Sequence, residues 1–110
     1  MKLLINTLLS IFFAIAIGVH VYYVYVGDSE PFWWHCIYFI TYGVCWWMLF
    51  SKSQQRNLIY LLMSIFPFVT HVYYAYQHAS QLDSEFWICL LVCIILPLGF
   101  IWLKKEKVTA

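Results

Sequence analysis

Long apolar runs alternate with short polar segments along the chain. The apolar runs cover residues 3–26, 32–50, 57–76 and 86–103. A transmembrane helix needs roughly 20 residues, at a rise of about 1.5 Å each, to cross about 30 Å of hydrocarbon. The run lengths therefore predict an all-α integral membrane protein with four transmembrane helices, in a single domain that covers residues 1–110.

The polar segments between the runs are short and rich in turn-forming residues. Their sequences are GDSEP at 27–31, SKSQQR at 51–56 and QHASQLDSE at 77–85. Helices joined by connections of this length pack as antiparallel neighbours. We therefore expect a four-helix bundle.

Composition supports the membrane class. Apolar residues make up 65% of the chain and charged residues 10%, whereas a soluble domain is about half apolar and about a quarter charged. The formal net charge of +1 is too small to indicate nucleic acid as a partner.

The charged residues are divided between the two sides of the predicted bundle. The basic residues lie at the start, in the middle connection and in the tail; they are Lys2, Lys52, Arg56, Lys104, Lys105 and Lys107. The other two connections hold Asp28, Glu30, Asp83 and Glu85 and no basic residue. The positive-inside rule predicts a multi-pass protein of an inner or plasma membrane, with both termini cytoplasmic and segments 27–31 and 77–85 outside.

The first run has a second interpretation, as a cleaved signal peptide. Lys2 precedes the run, and the Ala-Ile-Ala sequence at 14–16 resembles a cleavage site. Cleavage there would leave the two halves of the chain unequal, although they are related by an internal repeat. The repeat therefore favours a retained helix.

The repeat covers residues 1–50 and 57–103. At an offset of 51, the HVYY sequence that begins at His20 matches the one that begins at His71. At an offset of 53, Trp34 and Cys36 match Trp87 and Cys89. We expect two parallel helical hairpins, related by a pseudo-twofold axis along the membrane normal, with the repeated faces turned toward that axis.

The repeated polar residues predict a pocket. His20 and Tyr23 are three residues apart, as are His71 and Tyr74, and this spacing puts each pair on one side of a helix. An ionisable side chain inside a membrane faces protein or a cavity, because contact with lipid is costly. We predict an outward-facing pocket lined by these four residues. Two histidines on facing helices could ligate haem, or could bind a quinone or a lipid head group.

The structural alternative is that His20 and His71 only hydrogen-bond between helices. The protein would then be an accessory subunit of a larger membrane complex, or a homo-oligomer, with no chemistry of its own. An enzyme is not indicated, because the sequence contains no metal-protease motif and no Ser-His-Asp set at a common depth. Since no span contains Asp or Glu, the proton-coupled mechanism of the small multidrug exporters is not indicated either.

The remaining polar residues have simpler interpretations. His35 and His78 are expected near the interface, where solvation costs little. In the Asp-Ser-Glu sequences at 28–30 and 83–85, the Asp or the Ser is expected to cap the next helix, with the Glu in its first turn. A metal site formed by His78, Asp28 and Asp83 is the weaker alternative.

Aromatic residues and cysteines complete the pattern. Two belts of aromatic rings are predicted near the two interfaces: Tyr22, Tyr25, Trp33, Trp34, Tyr73, Tyr76 and Trp87 outside, and Trp46, Trp47 and Trp102 inside. The chain lacks the Cys-x-x-Cys pair of four-helix thiol oxidoreductases. The repeat leaves a Cys36–Cys89 disulfide as one hypothesis.

Overall fold

The fold consists of four α-helices. The computed structural model describes residues 1–106, so Lys107 lies outside the described residues. The helices are α1 (Lys2–Val26), α2 (Phe32–Met48), α3 (Arg56–His78) and α4 (Ser84–Lys105). The all-α prediction is confirmed, and α1, α3 and α4 are long and apolar enough to cross a membrane.

The second helix is shorter than its apolar run. It ends at Met48, after 17 residues, because Leu49 and Phe50 form a turn before the polar connection. At 1.5 Å per residue, α2 is about 25 Å long. The helix α2 therefore ends two residues before Phe50, where the apolar run ends.

Consecutive helices pack against each other around an aromatic core. Phe13, Tyr42 and Tyr60 are almost completely buried, and the Phe13 ring lies edge-on to Tyr60 at a centroid distance of 6.2 Å. The Tyr60 hydroxyl donates a hydrogen bond of 2.9 Å to the Leu96 carbonyl. It lies so close to Gly99 that a side chain at position 99 would collide with it, and this contact holds α3 tightly against α4.

The first and last helices are joined at the basic end of the bundle. Trp102 Nε1 donates to Asn6 Oδ1 at 2.8 Å. Glu106 forms ion pairs of 3.3 Å with both Lys2 and Arg56. These contacts hold the N-terminus of α1 and the end of α4 against each other, and they tie both to the start of α3.

The lateral surface is strongly apolar. Along α1, Leu4, Leu8, Ile11 and Ile15 recur at intervals of three and four residues, and each is more than half exposed. A continuous apolar surface of this kind is unusual on a soluble monomer.

The aromatic rings divide into two groups. Most of the residues predicted for the belts are exposed. Three tryptophans have other contacts: Trp34 faces a cavity, Trp46 donates to Ser10, and Trp102 donates to Asn6. These three tryptophans are therefore engaged by other parts of the protein and are not simply exposed rings of the predicted belts.

Candidate functional site

A cavity of about 370 Å³ lies between all four helices. It is at the acidic end of the bundle, where segments 27–31 and 77–85 connect the helices. This volume is near the lower end of the range of small-molecule sites. The lining residues are Val19, His20, Tyr23, Asp28, Ser29, Glu30, Trp34, His35, Tyr38, His71, Tyr74, Ser84, Glu85, Ile88 and Cys89. The structure thus brings together all four residues that the sequence predicts for a pocket, and it adds several others.

His71 is held by its own helix. Its Nδ1 atom lies 2.6 Å from the carbonyl oxygen of Pro67, one turn earlier in α3. A carbonyl oxygen can only accept a hydrogen bond, so Nδ1 must carry the proton. The neutral ring therefore has an unprotonated Nε2. Because only 8% of His71 is exposed and the ring borders the cavity, Nε2 is the atom left to meet a bound group.

His20 is held by a histidine that the sequence analysis placed elsewhere. His20 Nδ1 lies 3.1 Å from His35 Nδ1, so the two rings share one hydrogen bond between α1 and α2. Only 2% of His35 is exposed. The expectation that His35 is solvated near the interface is therefore wrong.

Asp28 completes the chain of contacts. Gly27 ends α1 in the left-handed conformation, with φ of 69°, which turns the connection back over the bundle. The Asp28 carboxylate then lies 2.9 Å from His35 Nε2. Pro31, not an acidic residue, is the N-cap of α2 and makes no side-chain capping bond. The capping prediction is therefore wrong for the first connection, because Asp28 binds His35 instead.

The Asp28–His35 and His35–His20 contacts fix the position of each proton when both of these imidazole rings are neutral. The ionised Asp28 only accepts, so His35 Nε2 donates to it. His35 Nδ1 is then an acceptor, and His20 Nδ1 donates to it. His20 is left with an unprotonated Nε2, like His71.

The second acidic connection has a different role. The Asp83 carboxylate accepts a 3.0 Å hydrogen bond from the Phe86 amide and caps α4, as predicted. His78 Nδ1 lies 3.0 Å from the other Asp83 oxygen. The Phe86 amide, and to a smaller extent His78, hold the pKa of the Asp83 carboxyl below its usual value. Neither His78 nor Asp83 lines the cavity.

Metal binding and disulfide formation find no support in the geometry. Within residues 1–106, no three or more His, Cys, Asp or Glu side chains are grouped to hold a metal ion. The weaker metal alternative separates into two contacts, Asp28 with His35 and Asp83 with His78. All four cysteines are free thiols, so the hypothesis of a Cys36–Cys89 disulfide is wrong for this conformation.

The aromatic ring of Tyr38 restricts what can lie between the two histidines. The rings of His20 and His71 are 6.4 Å apart, centroid to centroid. Tyr38 stacks on His20 at 4.1 Å and lies 5.5 Å from His71. A haem macrocycle ligated by both imidazoles would overlap the Tyr38 ring, so the residues present do not fit haem in this arrangement.

The mouth of the cavity is acidic. Asp28, Glu30 and Glu85 line it, and among the described lining residues there is no Lys or Arg. The Tyr74 hydroxyl donates to Glu30 at 3.4 Å, which ties α3 to the first acidic connection. The cavity therefore combines three carboxylates with three buried imidazoles, those of His20, His35 and His71.

No family model, curated protein or solved structure matches this chain. Its function is therefore inferred from the residues of the cavity and from the distribution of charge and apolar surface.

Proposed function

We propose that this chain is a four-span membrane protein that binds a small molecule in the cavity at its outer end. The observation that carries the proposal is the pair of buried histidines on α1 and α3. Each has its Nδ1 atom engaged by protein and its Nε2 atom without a hydrogen-bond partner in the described part of the chain. Both rings border a cavity of about 370 Å³.

Membrane insertion is supported by surface and length. Three helices have the required length and hydropathy, and α2, with 17 residues, is at the short end of the usual range of roughly 17 to 25. The basic residues at one end and the acidic connections at the other favour cytoplasmic termini. In this orientation the cavity opens on the outer side.

The internal repeat explains how two histidines come to face each other. His20 and His71 occupy equivalent positions in the two hairpins, and a pseudo-twofold axis between α1 and α3 would bring equivalent residues together, as the 6.4 Å ring separation suggests. The copies have diverged around this pair. At the offset of 53, Ile88 stands at the position equivalent to His35, so only one histidine is linked to a carboxylate.

Ligand binding accounts for these contacts better than interhelical hydrogen bonding alone. A purely structural histidine needs no cavity beside its ring, whereas His20 and His71 line the same cavity. Each also has a second ring nitrogen that makes no hydrogen bond within residues 1–106. A subunit that uses these histidines only for packing is the outcome to be excluded by experiment.

The proposal is tested by thermal unfolding of the purified protein in mild detergent. A panel of small cations, neutral molecules and anions, including a quinone and haemin, is added one at a time, because a ligand that binds only the folded state raises the melting temperature. We expect at least one compound to do so in the wild type and in His78→Leu, but not in His71→Leu. A panel without any such compound would contradict the proposal.

A further inference from the structure

We propose that the ligand is an organic primary or secondary ammonium ion whose N–H groups donate to Nε2 of His20 and of His71. This inference rests on the proposed binding function and names the chemical class of the ligand.

The first argument is charge. Three carboxylates line the cavity, and no Lys or Arg of the described residues lines it. Asp28 and Glu30 already accept hydrogen bonds from His35 and Tyr74, and both of those donors can be neutral. Glu85 accepts no hydrogen bond within residues 1–106 and stands at the rim. A cavity lined by one sign of charge within low-dielectric walls attracts ions of the opposite sign.

The second argument is the direction of the hydrogen bonds on the cavity floor. The carbonyl of Pro67 fixes the proton of His71 on Nδ1. When His35 and His20 are both neutral, the Asp28–His35 contact fixes the proton of His20 on Nδ1 as well. Two acceptor nitrogens therefore remain, on rings 6.4 Å apart. An ammonium group with two or three N–H bonds is complementary to two acceptors, and it needs no rearrangement of the contacts behind them.

The third argument is the aromatic wall. Trp34, Tyr23, Tyr38 and Tyr74 line the cavity, and Val19 and Ile88 add apolar surface. A cation within about 6 Å of an aromatic ring is attracted to its face, and the effect is stronger where water is excluded. The organic body of the ligand packs on these rings while the charged group lies beside the imidazoles.

The same features disfavour other classes of ligand. A phosphate or carboxylate would meet three negative side chains. A quinone presents two carbonyl oxygens, which are acceptors, to two acceptor nitrogens. A divalent metal ion is disfavoured because no three His, Cys, Asp or Glu side chains among residues 1–106 are grouped to hold one.

The test uses four probes of similar size: 2-phenylethylammonium, its trimethylammonium analogue, 2-phenylethanol and phenylacetate. Binding is measured by calorimetry to the protein in nanodiscs of zwitterionic phospholipid, with empty nanodiscs as the control. A hydrogen bond to a charged group is worth roughly 1.5 to 3 kcal/mol, so we expect the trimethyl analogue to bind about ten- to a hundredfold more weakly. The alcohol and the anion are expected not to bind.

Variants assign the site. His71→Leu and Glu85→Gln should each weaken the binding of 2-phenylethylammonium at least about tenfold. The control variants are His78→Leu and Tyr76→Phe. Both residues lie on α3, like His71, but neither lines the cavity, so both variants should bind like the wild type. Circular dichroism and elution as a single species establish that each variant is folded.

The outcomes separate the two proposals. Tighter binding of phenylacetate or 2-phenylethanol, abolished by His71→Leu, would overturn the ligand class while the binding function stands. Failure of the folded wild type to bind 2-phenylethylammonium would also overturn the ligand class. The binding function itself falls only if no compound of the thermal panel binds in a way that depends on His71.

Discussion

The Nδ1 atoms of His20 and His35 lie 3.1 Å apart, so that a histidine on α1 and a histidine on α2 share one buried hydrogen bond. This contact occupies Nδ1 of His20 and leaves Nε2 free, and the other nitrogen of His35 lies 2.9 Å from Asp28. Asp28 therefore acts on His20 through His35.

Replacing His35 with leucine should lower both stability and ligand affinity. The change leaves the Nδ1–H of His20 without its acceptor and Asp28 without its donor, and an unsatisfied buried group costs about 1 to 3 kcal/mol. The free energy of unfolding in detergent is the measurement. His78→Leu is the control, because His78 is partly exposed, and we expect it to lose much less. A His35→Leu variant as stable as wild type would show that the hydrogen-bond chain is not part of the folded core.

Replacing Gly99 with alanine, the smallest possible side chain, should destabilise the protein. A Cβ atom there would collide with the Tyr60 hydroxyl, which is itself held by the Leu96 carbonyl. Overpacking of this kind costs typically about 1 to 3 kcal/mol, so Gly99→Ala should lower the melting temperature. Gly43→Ala is the matched control, since nothing lies within 4 Å of its Cβ position. An equal loss in both variants would contradict close packing at Gly99.

The cap of α4 predicts a pH dependence with a definite sign. Because the pKa of Asp83 is lowered in the folded state, its contribution to stability is complete above its unfolded value of about 3.9 and is lost as pH falls through the lower folded value. Melting temperatures measured between about pH 6 and about pH 3 should therefore fall more in wild type than in Asp83→Ala. Parallel curves would refute this role of Asp83.

The orientation of the chain can be tested with single added cysteines. Ser29 and Ser53 are both exposed, on the acidic and the basic side respectively. In right-side-out vesicles, a membrane-impermeant maleimide should label Ser29→Cys and not Ser53→Cys, and inverted vesicles should show the reverse. The wild-type chain, with its four native thiols, gives the background. Labelling of both positions from one side would contradict the proposed four-span topology.

Much of the architecture follows from sequence because it depends on local properties. Length and hydropathy predict the helices, and the matched spacing of His20 with Tyr23 and of His71 with Tyr74 predicts the two faces that border the cavity. The end of α2 was harder to predict, because apolar residues continue into the turn at Leu49 and Phe50. Hydropathy alone does not separate the last helical residue from an apolar turn.

The role of His35 depends on tertiary structure. It is set by the turn at Gly27, which brings Asp28 back over α2. One signal for its burial was present in the sequence: His35, Tyr38, Tyr42 and Cys45 recur at intervals of three, four and three, and all four are buried. The spacing could have assigned His35 to the inner face of α2. Its bond to another histidine could not have been inferred without the coordinates.

The most direct test of the central claim is nitrogen NMR of histidine-labelled protein, because protonated and unprotonated ring nitrogens have well-separated signals. Spectra of His20→Leu and His71→Leu assign the two rings. The account predicts that Nδ1 is protonated and Nε2 unprotonated in both, and that 2-phenylethylammonium shifts both Nε2 signals while those of His78 stay unchanged. A proton on Nε2 of His71 in the free protein, or Nε2 signals that do not respond to saturating ammonium, would contradict it.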